Sequence, residues 1–129
     1  MNSDLDDATR LMRRAKADLA ALRGMGDAVV FDDNIFGFHA QQAVEKALKA
    51  WLAVLGRDYP FRHDLGELLA ALGAAGEIID DLWPLVDLTA FAVQLRYDDM
   101  EIANQLNRNK LVDSVAALLN NVERKIDHG

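Results

Sequence analysis

From Asn34 to Leu55 the chain runs 22 residues with one glycine and no proline, and its apolar residues recur at intervals of three and four. That period is helical. On a helical wheel Phe36, Ala40, Ala43, Val44, Ala47, Leu48, Ala50, Trp51 and Val54 share an arc wider than the roughly 100° stripe of an ordinary surface helix. A helix with so broad an apolar face must sit centrally in a bundle. The width of the arc also suggests more apolar surface than one small bundle covers, so a homodimer is expected. Asp32 or Asp33 is placed to cap the start. The opposite arc carries His39, Gln42, Lys46 and Lys49 beside Gln41 and Glu45, with Glu45 and Lys49 at the favourable i,i+4 spacing.

The rest of the chain supports an all-α domain. Its 129 residues are 51% hydrophobic, which suits one compact domain over 1–129 rather than two. Only Pro60 and Pro84 interrupt a sequence rich in Ala and Leu. A first helix is expected from about Asp4 to Arg23, with Ser3 as cap and Leu5, Ala8, Leu11, Met12, Ala15, Leu19 and Leu22 as its buried stripe. Ala28 to Phe31 reads as a packed loop, because a lone strand has no partner. After the Tyr59-Pro60-Phe61 linker, Asp64 caps a short helix through Leu72 that Gly73 and Gly76 break. Glu77 to Trp83 adds a turn or two, and Pro84 is expected at the first position of a helix running to about Arg96, with Leu85, Leu88, Phe91, Ala92 and Leu95 inside. The last helix, from near Asn104 to Ile126, buries Leu111, Val112, Val115, Leu118, Leu119, Val122 and Ile126. Short connections between such helices suit an up-and-down bundle of four or five.

Charge and composition narrow the chemistry. Fourteen Lys and Arg against 21 Asp and Glu give a net charge of -7, so any nucleic-acid contact must be local. The absence of Cys excludes disulfides, thiolate metal sites and cysteine nucleophiles. No apolar run approaches the ~18 residues of a membrane span, and the acidic stretch Met1 to Asp7 is unlike an export signal, so a soluble, cytoplasmic protein is expected. His39, His63 and His128 are too scattered for a metal-ligand spacing. No cofactor is implied, and neither a phosphate-binding Gly-rich loop nor a nucleophile elbow is present. His63 is expected in a turn beside the Asp64 cap, and His128 in a frayed tail. Arg10, Arg13 and Arg14 form a local basic cluster on the first helix, partly answered by Asp6 and Asp7.

The run Phe38-His39-Ala40-Gln41-Gln42-Ala43-Val44-Glu45-Lys46-Ala47-Leu48-Lys49-Ala50 resembles the signature of HEPN domains, which occur in prokaryotes beside minimal nucleotidyltransferases and in higher eukaryotes. Two further pieces follow in the family's order. His63-Asp64-Leu65 with Leu68-Leu69 resembles its His-Asp-Leu helix start, and Leu88-Thr89 leading to Arg96-Tyr97 resembles its Arg-Tyr-Pro-Asp segment, with Asp98 where Pro is usual. The resemblance implies a four- or five-helix bundle, frequently dimeric, linked to toxin-antitoxin pairs, RNA cleavage or nucleotide binding. On that basis a nucleotidyltransferase-like partner is expected, with nucleotide or RNA as ligand at His39, Gln42, Lys46, Lys49, Arg96 and Tyr97.

Nuclease members of the family carry an Arg, four to six intervening residues, then a His. The chemistry needs both, since a His takes the 2'-hydroxyl proton while an Arg stabilises phosphate charge. Here the positions that follow Arg96 at that spacing are Glu101, Ile102 and Ala103. With the His missing, and Asp98, Asp99 and Glu101 adding negative charge beside Arg96, a binding module is favoured over a metal-independent ribonuclease. Arg96 and His39 remain the weak catalytic candidates. Arg96 has an equally plain structural reading as the ion-pair partner of Glu45 or Asp99. A purely structural oligomerisation domain is the third alternative.

Overall fold

The computed structural model describes residues 3–27, 29–60, 63–89 and 108–128. Among them every regular element is helical: α1 (Ser3–Gly24), α2 (Asp33–Val54), α3 (Leu65–Ala74), a 3-10 helix (Asp80–Leu88) and α4 (Arg108–His128). The all-α expectation holds, and α2 is the central element, packed against all four others.

Local chemistry sets the boundaries. Asp32 caps α2, its carboxylate accepting from the Ile35 amide at 2.9 Å, and Asp64 caps α3 through the Glu67 amide at 3.3 Å. α2 stops at Gly56, whose φ of +71° is in the left-handed region, while Arg57 N–H donates to the Leu52 carbonyl at 2.9 Å. α3 ends the same way. Gly76 takes φ +91° and Glu77 N–H donates to Leu72 at 3.0 Å, so Gly76 is the stop and Gly73 lies inside the helix, contrary to its expected role as a breaker.

Two expected elements differ. Pro84 does not open a fourth α-helix; it sits within the 3-10 helix. Ile79, Leu82, Leu85 and Leu88 recur at every third residue, and three residues per turn stacks them into one inward ridge that an α-helix would smear around its circumference. Phe91, Ala92, Leu95 and the start expected near Asn104 lie outside the described residues. The loop after α1 is not packed as expected: Val29 is 95% exposed and Val30 67%, and only Phe31 tucks against the core. The loop closes on itself instead, because Asp27 accepts both the Val29 and Phe31 amides. α4 continues to His128, so that residue ends a helix rather than a frayed tail.

Every described residue of the α2 arc from Phe36 to Trp51 is buried, with Val54 half-buried. The cover comes from the chain itself: α1 supplies Leu11, Met12, Ala15, Leu19 and Leu22, α3 supplies Leu65, Leu68, Leu69 and Leu72, and α4 supplies Val115, Leu118, Leu119 and Val122. The width of the arc therefore does not itself demand a second copy. It reflects a helix surrounded on several sides.

Candidate functional site

The polar residues of α2 are less exposed than the wheel suggests. Gln41 is fully buried, Glu45 is 4% exposed and Lys49 9%. α2 is covered over most of its surface, so the polar side chains on its covered side must find partners inside the protein. Glu45 is the hub. Its Oε1 accepts from Gln41 Nε2 at 2.7 Å and contacts His63 Nδ1 at 2.8 Å, while Oε2 accepts from Lys49 Nζ at 3.0 Å. Gln42 completes the group by donating to Gln41 Oε1 at 2.7 Å. Burial pushes the Glu45 carboxyl up, but hydrogen bonds from His63, Lys49 and Gln41, together with the Lys49 charge, outweigh it and hold the group below its ordinary value.

A second hub lies one face round, on α1. Asp18 accepts from Lys46 Nζ at 2.8 Å through Oδ2 and faces His39 Nδ1 at 3.3 Å through Oδ1. The Phe38 ring meets the His39 ring edge-on at 5.7 Å between centroids. These contacts tie the middle of α2 to the middle of α1, and they leave the His39 side chain 32% and the Lys46 side chain 20% exposed.

The structure thus brings His39 and Lys46 together on Asp18 and sets Gln42 in the Glu45 group, so these residues do not form one free phosphate-binding stripe. Lys46 and Lys49 each already hold a carboxylate, and Lys49 belongs to the buried group. His63 stands in the non-helical stretch beside the Asp64 cap, as expected, and its ring also reaches back to Glu45. Arg96 and Tyr97 lie outside the described residues, as do Asp98, Asp99 and Glu101. Glu45 has three described partners without Arg96.

Sequence reasoning missed Arg108, Asp18 and Tyr59. Arg108 Nη1 donates to the Met25 carbonyl at 2.6 Å, Nη2 donates to Phe31 O and Asp33 Oδ1 at 2.7 Å each, and the guanidinium lies 4.7 Å from the Phe36 ring centroid. Tyr59, in the linker after α2, donates its hydroxyl to Asp7 at 2.7 Å and carries Lys49 Nζ 5.6 Å from its ring centroid. Desolvation and the Asp7 carboxylate raise the Tyr59 hydroxyl pKa. For Asp7, burial works upward and is outweighed by hydrogen bonds from Tyr59 and Arg10, so its carboxyl is lowered. None of the three is singled out by spacing or charge: the last helix, expected from near Asn104, has Arg108 inside it, and Tyr59 falls in the linker.

Two grooves open on the described surface, and neither is lined by the α2 polar residues. One, of about 480 Å³, lies between the 3-10 helix and α4, with Leu82, Pro84 and Leu85 facing Ala117 and Leu118. The other, of about 250 Å³, lies between α1 and α4. Among the described residues no group of three or more His, Asp or Glu could hold a metal ion, and no helix is long and apolar enough to cross a membrane.

The model of the HEPN domain family matches residues 8–125, nearly the whole chain. The chain belongs to the HEPN domain family. At the family level this makes it a helical module of the nucleotide- and RNA-related kind. No curated relative and no solved structure matches it. In this HEPN domain, the Gln-Gln-Ala-Val-Glu-Lys run of α2 is the stretch from which both polar hubs are built: Gln41, Gln42 and Glu45 serve one, and Lys46 the other.

Proposed function

We propose that this HEPN domain is a non-catalytic binding module. It acts as a homodimer with a nucleotidyltransferase-like protein and engages nucleotide or RNA phosphate at the open edge formed by His39, Gln42 and Lys46, assisted by Arg96 and Tyr97. The observation that carries this reading is the pairing of His39 and Lys46 on one carboxylate, Asp18, with part of both side chains left in solvent. Two cationic or proton-bearing groups converging at a rim offer hydrogen bonds and charge to an incoming phosphate, which would take over the role of Asp18. Lys49 supports that edge from inside rather than meeting ligand, because Glu45 holds it.

What weighs against catalysis is the sequence after Arg96, where Glu101, Ile102 and Ala103 stand at the spacing at which the family's nucleases carry a His.

Titration of the full chain with ATP, GTP and a short single-stranded RNA at low salt, followed by amide chemical shifts, tests the reading. Shifts confined to the α2 residues around His39 and Lys46, lost in Lys46→Ala and Arg96→Ala, are the expected result. Unperturbed α2 amides with all three ligands would overturn the ligand-binding part. Cleavage of tRNA in EDTA that disappears in Arg96→Ala would replace it with the ribonuclease reading.

A further inference from the structure

Gln42 is the α2 member of the Glu45 group that reaches the surface: it is partly exposed, whereas Gln41, Glu45 and Lys49 are buried. Its amide is held one way round. Glu45 is engaged on both carboxylate oxygens, by Lys49 on Oε2 and by His63 and Gln41 on Oε1. An ionised carboxylate has no proton to give, so Gln41 must turn its Nε2 toward Glu45, and its Oε1 then faces Gln42. Gln42 must in turn offer Nε2 to that oxygen. Flipping either amide would set two oxygens against each other at 2.7 Å. The buried carboxylate thus orders both amides, and the carbonyl of Gln42 is the end left over.

Gln42 Oε1 makes no hydrogen bond among the described residues, and it is not one of the buried atoms left unpartnered there. Water can therefore reach it, and so can a ligand. A glutamine free to flip offers either polarity to a ligand; this one offers a lone pair.

Its neighbour on the helix has the opposite character. Lys46 lies one turn further on, with its Cβ about 5–6 Å from that of Gln42, and presents a partly exposed ammonium. The edge therefore sets a cation that suits a phosphate beside an acceptor that an ionised phosphate, itself all acceptor, cannot satisfy. A ligand that fills both places carries a hydrogen-bond donor next to a phosphate. In a nucleic-acid strand that donor is the ribose 2'-hydroxyl, on the carbon adjoining the one that bears the 3'-phosphate. DNA has no donor there, and base amino groups lie beyond the sugar.

We propose that Gln42 Oε1 accepts from a 2'-hydroxyl of RNA whose adjoining phosphate is held by Lys46, which makes Gln42 the residue that distinguishes RNA from DNA at this edge. The proposal rests on the phosphate-binding reading above and names its ligand class.

A short single-stranded RNA and the same sequence with 2'-fluoro groups, which keep the sugar pucker of RNA but have no proton to donate, provide the test. Fluorescence anisotropy of the full chain at low salt measures both affinities. The native chain should bind the RNA about three- to tenfold more tightly, the worth of one hydrogen bond at a partly exposed site. Gln42→Leu, with folding confirmed by circular dichroism, should lose that preference. The Gln42 side-chain amide resonances give a readout that needs no variant: RNA should shift them, and 2'-fluoro RNA should shift them less. Equal affinity of the native chain for the two strands, Gln42 resonances that RNA leaves unmoved, or a preference that survives in folded Gln42→Leu overturns this role while leaving phosphate binding at the edge intact. Failure to bind either strand removes the phosphate-binding reading itself, and this inference with it.

Discussion

Arg108 and Asp33 stand 75 residues apart in sequence and 2.7 Å apart in space. The pair joins the first turn of α4 to the first turn of α2, and the same guanidinium holds the carbonyls of Met25 and Phe31. One side chain therefore closes the end of the bundle where α1, the exposed Val29–Val30 turn, α2 and α4 converge. The planar fork of Arg supplies this directional set of donors, and a Lys ammonium cannot reproduce it.

Arg108→Ala should cost about 2–4 kcal/mol, because it leaves a partly buried carboxylate and two carbonyls without their donor. Arg108→Lys should recover less than half. Urea denaturation at neutral pH measures both, and a loss below about 0.5 kcal/mol in the Ala variant would show that water replaces the guanidinium without penalty.

Glu45 gives the chain an acid limb. Its folded-state carboxyl titrates below the ordinary value of 4.5, so the unfolded chain binds the proton more readily. The stabilisation is thus fully present above the unfolded value and is lost as pH falls through the lower folded value. Urea midpoints should drop below about pH 4.5, and Glu45→Gln should flatten that drop. At neutral pH the same variant strands the Lys49 ammonium inside the bundle and should cost about 3 kcal/mol. An acid limb of unchanged steepness in Glu45→Gln would place the linkage elsewhere.

Tyr59→Phe removes the hydroxyl that bonds Asp7 and should destabilise by about 1 kcal/mol. It should also raise the Asp7 carboxyl, since the loss of a donor to the charged form favours protonation. Carbonyl-carbon NMR titration of Asp7 in both proteins reads this directly. An unmoved Asp7 would mean that Arg10 alone holds it down.

Gly56→Ala should cost about 1 kcal/mol in thermal or urea unfolding, because φ +71° is left-handed and the backbone hydrogen bonds that end α2 fix it there. The space itself is open: a Cβ would come no closer than 3.8 Å to Asp4. Gly26→Ala provides the control, with nothing within 4 Å of its Cβ and no positive φ, and should be near neutral or stabilising.

The helical framework was legible in the residues. The apolar spacings of α1, α2 and α4 place those helices to within a residue or two where their ends are described, and Asp32 and Asp64 cap as their positions suggest. Pro84 misled because proline at a helix start and proline in a 3-10 turn use the same fixed φ, and only the three-residue spacing from Ile79 to Leu88 distinguishes them. The candidate site was legible as a set of residues and not as an arrangement. His39 and Lys46 meet at Asp18 and Gln42 joins the Glu45 group, and the wheel of one helix carries no information about Asp18 on α1 or His63 beyond Tyr59.

By itself, then, the sequence determined the all-α class, the central helix and most of the core, because these follow from periodicity and caps within one segment, and it carried the HEPN resemblance in the residues of its motifs. Tertiary structure alone decided which charges are spent internally. Burying α2 on several sides gathered Gln41, Lys49 and His63 around Glu45 and set His39 and Lys46, still partly exposed, against Asp18. Those outcomes depend on which helices meet and at what level, a long-range property that local spacing does not encode.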